Sequence, residues 1–172
     1  FRLPDAVVEG ECALLSAVGV DVRTGVRIGR DLSLSDLVRD YDAVFLATGT
    51  TAPMTVPQVR PGCGGVSYAL DFLAQAKQSM PALSGHVLVV GGGDVAVDAA
   101  MTARRAGASK VTMVSLEQMD QLPASQESIL EAKGEGIEFQ PGWGIASVLE
   151  QDGRAVGLLV KQCVQVFDAD GR

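Results

Sequence analysis

Apolar and polar residues follow two different periods along the chain, and each change of period marks the end of a predicted element. Apolar residues recur at helical spacing in five stretches, which predicts helices over residues 4–18, from Ser33, and over 66–79, 94–106 and 123–133. Short apolar runs predict strands over residues 20–23, 41–50, 87–90, 110–114 and 137–139. Alternation about Asp152 and Gly153 predicts an antiparallel hairpin with one exposed face, over residues 146–149 and 156–167.

The order of these elements predicts the fold class, because strands that alternate with helices are typical of an α/β fold with a parallel sheet. The run 87–90 has the length and β-branched content of a strand buried on both faces. Residues 51–65 are rich in proline and glycine and lack periodicity, so we place the domain boundary there. We therefore predict a Rossmann-like domain with a parallel sheet plus a β-hairpin or meander, preceded by part of a second α/β domain.

Composition and charge narrow the range of partners. The chain has 172 residues and a net charge of −7, which argues against nucleic acid or an anionic membrane as its main partner. No apolar run reaches the length of a membrane span. Cys12, Cys63 and Cys163 are far apart and show no zinc spacing, so we expect reduced thiols in a cytoplasmic protein and no metal site. The sequence starts at Phe1 without a methionine, and we expect it to be a piece of a longer protein.

Three consecutive glycines, Gly91 to Gly93, separate the strand 87–90 from the helix that begins at Asp94. Together with Ala96 they form the GxGxxA variant of the dinucleotide-binding fingerprint. Gly91 permits a tight bend, Gly93 lets a diphosphate approach the backbone, and Ala96 lets helix and strand pack closely. The start of the helix offers unpaired N–H groups and partial positive charge to phosphates. We predict dinucleotide binding here; the alternative is a glycine turn that serves packing only.

A second set of small residues, Ala47, Thr48 and Gly49, ends the predicted strand 41–50. Small side chains at such a point allow a planar ligand or another backbone to approach closely. An ordinary strand-to-loop turn explains the same pattern equally well. For the glycine turn, a methyltransferase that uses S-adenosylmethionine is a further alternative, because it shares the strand–glycine–helix opening.

Several longer motifs carry a family resemblance. They are Phe1-Arg2-Leu3-Pro4, Tyr41 to Gly49, Ala69-Leu70-Asp71-Phe72-Leu73, Gly91 to Asp98, Leu122-Pro123-Ala124, and Cys163 with Val166-Phe167-Asp168. The chain resembles the FAD- and NAD(P)H-dependent oxidoreductases related to the small subunit (beta chain) of glutamate synthase and to the flavin region of dihydropyrimidine dehydrogenase. The motifs keep their order and spacing, and the resemblance runs nearly from end to end.

In that family a flavin domain is interrupted by a pyridine-nucleotide domain. The resemblance implies that residues 1–52 are part of an FAD-binding domain, residues 53–65 a linker, and residues 66–172 the NAD(P)H-binding domain. It implies that hydride passes from NAD(P)H to FAD and that electrons pass on to iron–sulfur centres of an attached domain or subunit. The family's flavin fingerprint and closing segment lie outside this sequence. We therefore expect FAD in the full-length protein and an inactive chain on its own.

One departure from the family pattern bears on the choice of nucleotide. Many relatives carry Tyr-Arg-Arg after the second strand, whereas this chain has Ser115-Leu116-Glu117 and no Lys or Arg between Lys110 and Lys133. Glu117 lies about twenty residues past the motif, where a carboxylate bonds ribose hydroxyls and repels a 2′-phosphate. Ser115 is nearer the natural end of the strand and shares the predicted role; an exposed surface glutamate is the alternative. We predict that NADH is preferred over NADPH.

Hydride transfer between two cofactors needs no acid, base or nucleophile from the protein, so we predict no catalytic side chain. Asp98 matches a family motif position and either orients backbone groups or the nicotinamide amide, or caps N–H groups as a buried carboxylate. The predicted cofactor-binding residues are Gly91, Gly92, Gly93, Asp94, Val95, Ala96, Asp98, Ser115 and Glu117, with Ala47, Thr48 and Gly49. A regulatory or assembly subunit that binds a nucleotide without turnover is the second hypothesis.

Overall fold

The computed structural model describes residues 3–50 and 52–166, which belong to two compact units. Unit 1 comprises Phe1–Thr51 and unit 2 comprises Ala52–Arg172. The mixed α/β architecture, with a three-stranded parallel sheet and a two-stranded hairpin, confirms the predicted fold class. Within the described residues, no helix combines the length and the apolar character that crossing a membrane requires.

Unit 1 contains two helices, α1 (Asp5–Ala17) and α2 (Leu34–Asp40). The predicted capping box starts α2: Ser33 Oγ accepts the N–H of Asp36 at 3.1 Å, and the Asp36 carboxylate accepts the N–H of Ser33 at 3.3 Å. Hydrogen bonds from the Ser33 hydroxyl and, next, from Arg39 lower the pKa of Asp36. No side chain among residues 3–50 is buried.

The strands predicted in unit 1, over residues 20–23 and 41–50, are wrong. Both segments are without regular strand structure, and residues 3–50 contain only an isolated bridge between Ile28 and Leu32. A strand requires a neighbouring strand to receive its hydrogen bonds, and the described part of unit 1 offers none. The apolar run therefore stays open to solvent, with Phe45 92% exposed.

Unit 2 holds the β–α–β arrangement that the glycine motif predicts. Its first elements are α3 (Ala69–Gln78), β1 (His86–Val90), α4 (Asp94–Arg105), β2 (Lys110–Val114), α5 (Gln126–Gly134) and β3 (Glu138–Gln140). The strands form a parallel sheet in the order β1-β2-β3. His86 is in register with Lys110, and Thr112 with Glu138. The carboxyl ends of the three strands therefore meet at one edge of the sheet.

One face of this sheet carries the apolar core. The side chains of Val87, Val89, Val111, Met113 and Phe139 join residues of α4 and α5 in a single cluster. β2 lies in the centre of the sheet and is buried along most of its length. β1 lies at the edge and exposes Leu88 and Val90. The prediction that the run 87–90 is buried on both faces is thus wrong, because an edge strand receives less cover than a central one.

The helix predicted from residue 123 begins later, at Gln126. Ser125 is its N-cap, and the Ser125 hydroxyl oxygen accepts the N–H of Ser128 at 3.1 Å. Pro123 lies ahead of the helix in a segment that packs against the glycine turn. A side-chain cap determines where a helix starts, whereas proline is only tolerated in the first turn.

The predicted hairpin is confirmed. It is formed by β4 (Trp143–Gln151) and β5 (Arg154–Gln162), which pair antiparallel. Asp152 and Gly153 connect them with φ of 50° and 75°, the signs that a tight type I′ turn requires. β5 ends five residues before the predicted end at Phe167, which itself lies outside the described residues.

The second half of the predicted linker is anchored on this hairpin. The N–H of Gly64 donates to the carbonyl oxygen of Gly153, and the N–H of Ala155 donates to that of Gly64, both at 2.8 Å. Arg60 pairs with Glu150 at 2.6 Å, and this contact lowers the pKa of the Glu150 carboxyl. Cys63 is buried beside them, and burial raises the pKa of its thiol. Residues 60–65 therefore belong structurally with the hairpin.

Candidate nucleotide-binding site

The glycine turn lies where β1 and β2 end side by side. The N–H of Gly91 donates to the carbonyl oxygen of Val114 at 2.9 Å, which extends the parallel pairing by one step. Gly91 has φ of +134°, a value that residues other than glycine rarely adopt. A Cβ atom at this position would lie 3.3 Å from the Cβ of Ala96. The turn thus needs glycine at 91 and a small residue at 96, for the steric reason that the fingerprint implies.

Gly93, at the start of α4, borders open space. Gly93 is the N-cap, with φ of −90°, and its carbonyl oxygen accepts the N–H groups of Ala96 and Val97 at 3.0 and 3.1 Å. The N–H groups of Asp94 and Val95 precede the first possible partner within the helix. A Cβ atom built on Gly93 meets no atom within 4 Å. The backbone of this glycine is therefore accessible to a ligand at the positive end of the helix dipole.

The opposite side of the turn, at Gly92, is closed. Gly92 is buried, and a Cβ atom there would lie 2.8 Å from Cδ2 of Leu122, 2.9 Å from Oε2 of Glu117 and 3.3 Å from Cδ of Pro123. The structure thus places the Glu117 carboxylate directly against the glycine motif. The turn has one packed side and one open side.

Ser115 and Glu117 occupy different environments although the sequence predicts a shared role. Ser115 is buried, and its hydroxyl donates to the carbonyl oxygen of Glu117 at 3.2 Å. Its backbone is bonded to Gln140 at 3.2 Å and to Trp143 at 2.7 Å, which joins β2 to the segment that leads into the hairpin. Glu117 is only half-buried. Ser115 therefore orients the chain, while Glu117 carries the accessible acidic group.

Besides Ala96, three predicted residues lie on the first two turns of α4. Asp94 accepts the N–H of Ser125 at 3.1 Å through Oδ1. Asp98, one turn further along, is half-buried on the same side of the helix, and Val95 is exposed. With Glu117, the two aspartates make the surroundings of the turn acidic. Arg104 and Arg105 lie in the last turn of α4, where their positive charges interact favourably with the helix dipole.

The segment from Leu122 to Ser125 lies across the glycine turn, a contact that the pattern of apolar residues does not reveal. The N–H of Ala124 donates to the carbonyl oxygen of Gly92 at 3.0 Å, in addition to the bond from Ser125 to Asp94. The local signal available in the sequence was the pair of serines at 125 and 128, which marks a helix start. That signal predicts where α5 starts, but it does not predict that the start of α5 contacts the glycine turn.

Ala47, Thr48 and Gly49 lie in unit 1, in an exposed segment without regular structure. Gly49 has φ of +67°, so the chain turns there. The expected strand end is absent, as described above. The role of these three residues at a flavin stays a prediction.

The fold is that of the FAD- and NAD(P)-linked oxidoreductases. The solved structure of FprA from Mycobacterium tuberculosis matches 99% of this chain and 55% of its own length, with a TM-score of 0.77 and 17% sequence identity. That likeness concerns the fold alone. It places the chain in a structural class.

Sequence relatives narrow the class to a family. The chain is 34% identical over 170 residues to the beta subunit of NADP(+)-dependent formate dehydrogenase from Moorella thermoacetica, covering 96% of this chain and 24% of that protein. It is 35% identical over 152 residues to the small chain of glutamate synthase (NADPH) from Escherichia coli K12, covering 81% and 32%. It is 33% identical over 145 residues to the PreT subunit of NAD-dependent dihydropyrimidine dehydrogenase from Escherichia coli O157:H7, covering 83% and 35%.

A family profile described as pyridine nucleotide-disulphide oxidoreductase matches residues 13–171. The chain belongs to this family. The predicted resemblance to the glutamate synthase small subunit and to dihydropyrimidine dehydrogenase is confirmed. The chain spans only about a quarter to a third of the length of these three relatives.

The geometry of the turn predicts unequal costs for two glycine substitutions. Gly91→Ala should lower the free energy of unfolding by about 2–3 kcal/mol, because it forces a side chain into a disfavoured φ and against Ala96. Gly93→Ala should lower it by less than about 1 kcal/mol, since the new methyl group enters open space and only the cap preference changes. Urea unfolding followed by circular dichroism measures both. Equal losses would contradict the described turn.

Proposed function

We propose that unit 2 binds a nicotinamide dinucleotide at the glycine turn, as the NAD(P)H-binding portion of a flavin-dependent oxidoreductase. The observation that carries this proposal is the open space at Gly93, next to the first N–H groups of α4 and opposite the packed side at Gly92. A turn that served packing only would be expected to be filled on both sides. Membership of the pyridine nucleotide-disulphide oxidoreductase family supports the same ligand.

Each part of the site has a distinct task in this proposal. The backbone of Gly93, Asp94 and Val95 holds the diphosphate, and Glu117 accepts hydrogen bonds from the ribose hydroxyls. Asp98, half-buried one turn along α4, is the candidate for orienting the nicotinamide end or the backbone near it. The nicotinamide and the flavin supply the hydride chemistry when they are bound, so the protein binds and orients rather than donating protons.

The acidic character of the site favours NADH over NADPH. Glu117 lies against the motif, and the sequence between Lys110 and Lys133 has no basic residue to receive a 2′-phosphate. A carboxylate near that phosphate would be repelled by it. The relatives do not decide the matter, since their names include NAD, NADP(+) and NADPH. The preference therefore rests on Glu117.

The exposed apolar surface of unit 1 supports its assignment to a flavin domain. Residues 3–50 bury no side chain, although α1 carries Val7, Val8, Leu14 and Leu15 and the later segment carries Phe45. Apolar surface of this extent normally marks an interface. We assign residues 1–52 to part of an FAD-binding domain that packs on the remainder of that domain, residues 53–65 to a linker whose second half is bonded to the hairpin, and residues 66–172 to the nucleotide domain. Ala47, Thr48 and Gly49 would then lie near the flavin.

Transfer of electrons from the flavin to iron–sulfur centres is the remaining part of the proposal. The relatives are a formate dehydrogenase subunit, a glutamate synthase small chain and a dihydropyrimidine dehydrogenase subunit. Because each is one component of a larger enzyme, we expect the iron–sulfur centres to reside in an attached domain or subunit.

Gly93→Ala tests the binding site. The variant should keep its fold but bind NADH at least about tenfold more weakly, because the methyl group occupies the space meant for the diphosphate. Gly134→Ala is the matched control, since a Cβ there also meets nothing within 4 Å and the residue lies at the far end of α5. Titration of NADH fluorescence gives both affinities. Unchanged binding in Gly93→Ala would refute the cradle.

Glu117→Gln tests the preference between the two nucleotides. The unmodified chain should bind NADH more tightly than NADPH, and the substitution should reduce that ratio by about tenfold, because the neutral amide neither holds the ribose as well nor repels the phosphate. Asp152→Asn removes one negative charge at the hairpin turn and should leave the ratio unchanged. Tighter binding of NADPH by the unmodified chain would exclude the proposed preference.

Flavin content separates the oxidoreductase from a nucleotide-binding regulatory or assembly subunit. The full-length protein that contains this chain should purify yellow, and NADH should bleach its visible flavin absorbance in the absence of oxygen. The second hypothesis predicts a colourless protein, or a bound flavin that NADH leaves oxidised. Either of those results would favour it.

A further inference from the structure

The segment Leu122–Ser125, which we name the clasp, is bonded to the glycine turn at two points. The N–H of Ala124 donates to the carbonyl oxygen of Gly92 at 3.0 Å. The N–H of Ser125 donates to Oδ1 of Asp94 at 3.1 Å. One bond reaches the turn itself and the other reaches the first residue of α4. The clasp therefore connects the two parts of the proposed diphosphate cradle.

Packing holds the clasp in this place from both of its ends. Leu122 and Ala124 are buried members of the core cluster. The side chains of Leu122 and Pro123 contact the Gly92 side of the turn. At its far end, Ser125 caps α5 by accepting the N–H of Ser128 at 3.1 Å. A change at the bond to Asp94 would thus loosen one contact within a segment that is otherwise anchored.

The Asp94 carboxylate lies between the starts of two helices. Asp94 belongs to the first turn of α4, and the N–H bonded to its carboxylate is that of Ser125, the N-cap of α5. Both helix starts carry partial positive charge, which stabilises a carboxylate. The same positive charge would attract the phosphates of a dinucleotide. Asp94 therefore supplies a useful hydrogen bond and an unfavourable charge at the same location.

We propose that Asp94 is a positioning residue, which fixes the clasp across the glycine turn so that the cradle has its binding shape before the nucleotide arrives. Its negative charge at the same time weakens the attraction for the diphosphate. This inference rests on the proposed function. Preorganisation of this kind raises affinity because the ordering of the site does not have to occur on binding.

Two neutral substitutions separate the bond from the charge. Asp94→Asn keeps an oxygen acceptor for the N–H of Ser125, whereas Asp94→Ala removes it. Asp94→Asn should bind NADH about two- to tenfold more tightly than Asp94→Ala, the effect of one hydrogen bond. It should also bind NADH more tightly than the unmodified chain at low salt. That second difference should vanish at about 1 M salt, where charges are screened within about 3 Å.

A second pair of variants removes the bond from the other partner. Ser125→Ala and Ser125→Pro both lose the side-chain cap, but only proline also loses the N–H that reaches Asp94. The φ of Ser125, −62°, suits proline. Ser125→Pro should bind NADH about two- to tenfold more weakly than Ser125→Ala. Circular dichroism establishes whether each variant is folded. If Ser125→Pro is unfolded, the comparison of Asp94→Asn with Asp94→Ala tests the proposal on its own.

The outcomes separate failure of the clasp from failure of the proposed function. If the unmodified chain fails to bind NADH, or Gly93→Ala binds it equally well, the proposed function is wrong. If those two behave as proposed but Asp94→Ala binds as tightly as Asp94→Asn, the clasp does not position the cradle. A purely structural role for Asp94 would lower thermal stability in Asp94→Ala without changing NADH affinity, and would also overturn the inference.

Discussion

The close approach of α4 to the end of β1 is the constraint on which the rest of unit 2 depends. Only a backbone that bends at Gly91, with Ala96 packed against it, lets the helix start directly above the carboxyl end of the strand. From this contact follow the direction of α4, the burial of its inner face, and the position of its first N–H groups beside Gly93. The proposed nucleotide site is therefore a by-product of how helix and strand are joined.

The two sides of the turn differ because one is formed by residues adjacent in sequence and the other by residues further along the chain. The open side at Gly93 is created locally, by three consecutive glycines and the start of a helix. The closed side at Gly92 is supplied by Glu117 and by the clasp, which follow β2. A turn with one filled side can be approached by a ligand only from its other side. Such an arrangement favours a ligand that needs several donors at once, as a diphosphate does.

The sequence predicted the central β–α–β unit and the two helices of unit 1 closely, but it predicted two strands in unit 1 that do not form. The reason is the range of the interactions that each element needs. β1, α4 and β2 are bounded by local signals: an apolar run, a glycine turn, and Gly107 after the helix. The run at residues 41–50 has equally good local signals, but a strand exists only where another strand lies beside it. The clasp was not predicted for a related reason. No local pattern indicates that Ser125 contacts Asp94, which precedes it by 31 residues in the sequence.

The contrast between the two units constrains how the whole protein is organised. Unit 2 has a continuous core, whereas residues 3–50 combine ordered helices with a surface of exposed apolar side chains. A segment that buries so little is not expected to offset the entropy of its own ordering, so we expect its native structure to draw stability from contacts outside residues 3–50. In the proposed flavoprotein, that surface is the remainder of the flavin domain. Folding of that domain would then assemble the flavin-binding part of the protein, while the proposed nucleotide site would be formed by unit 2 alone.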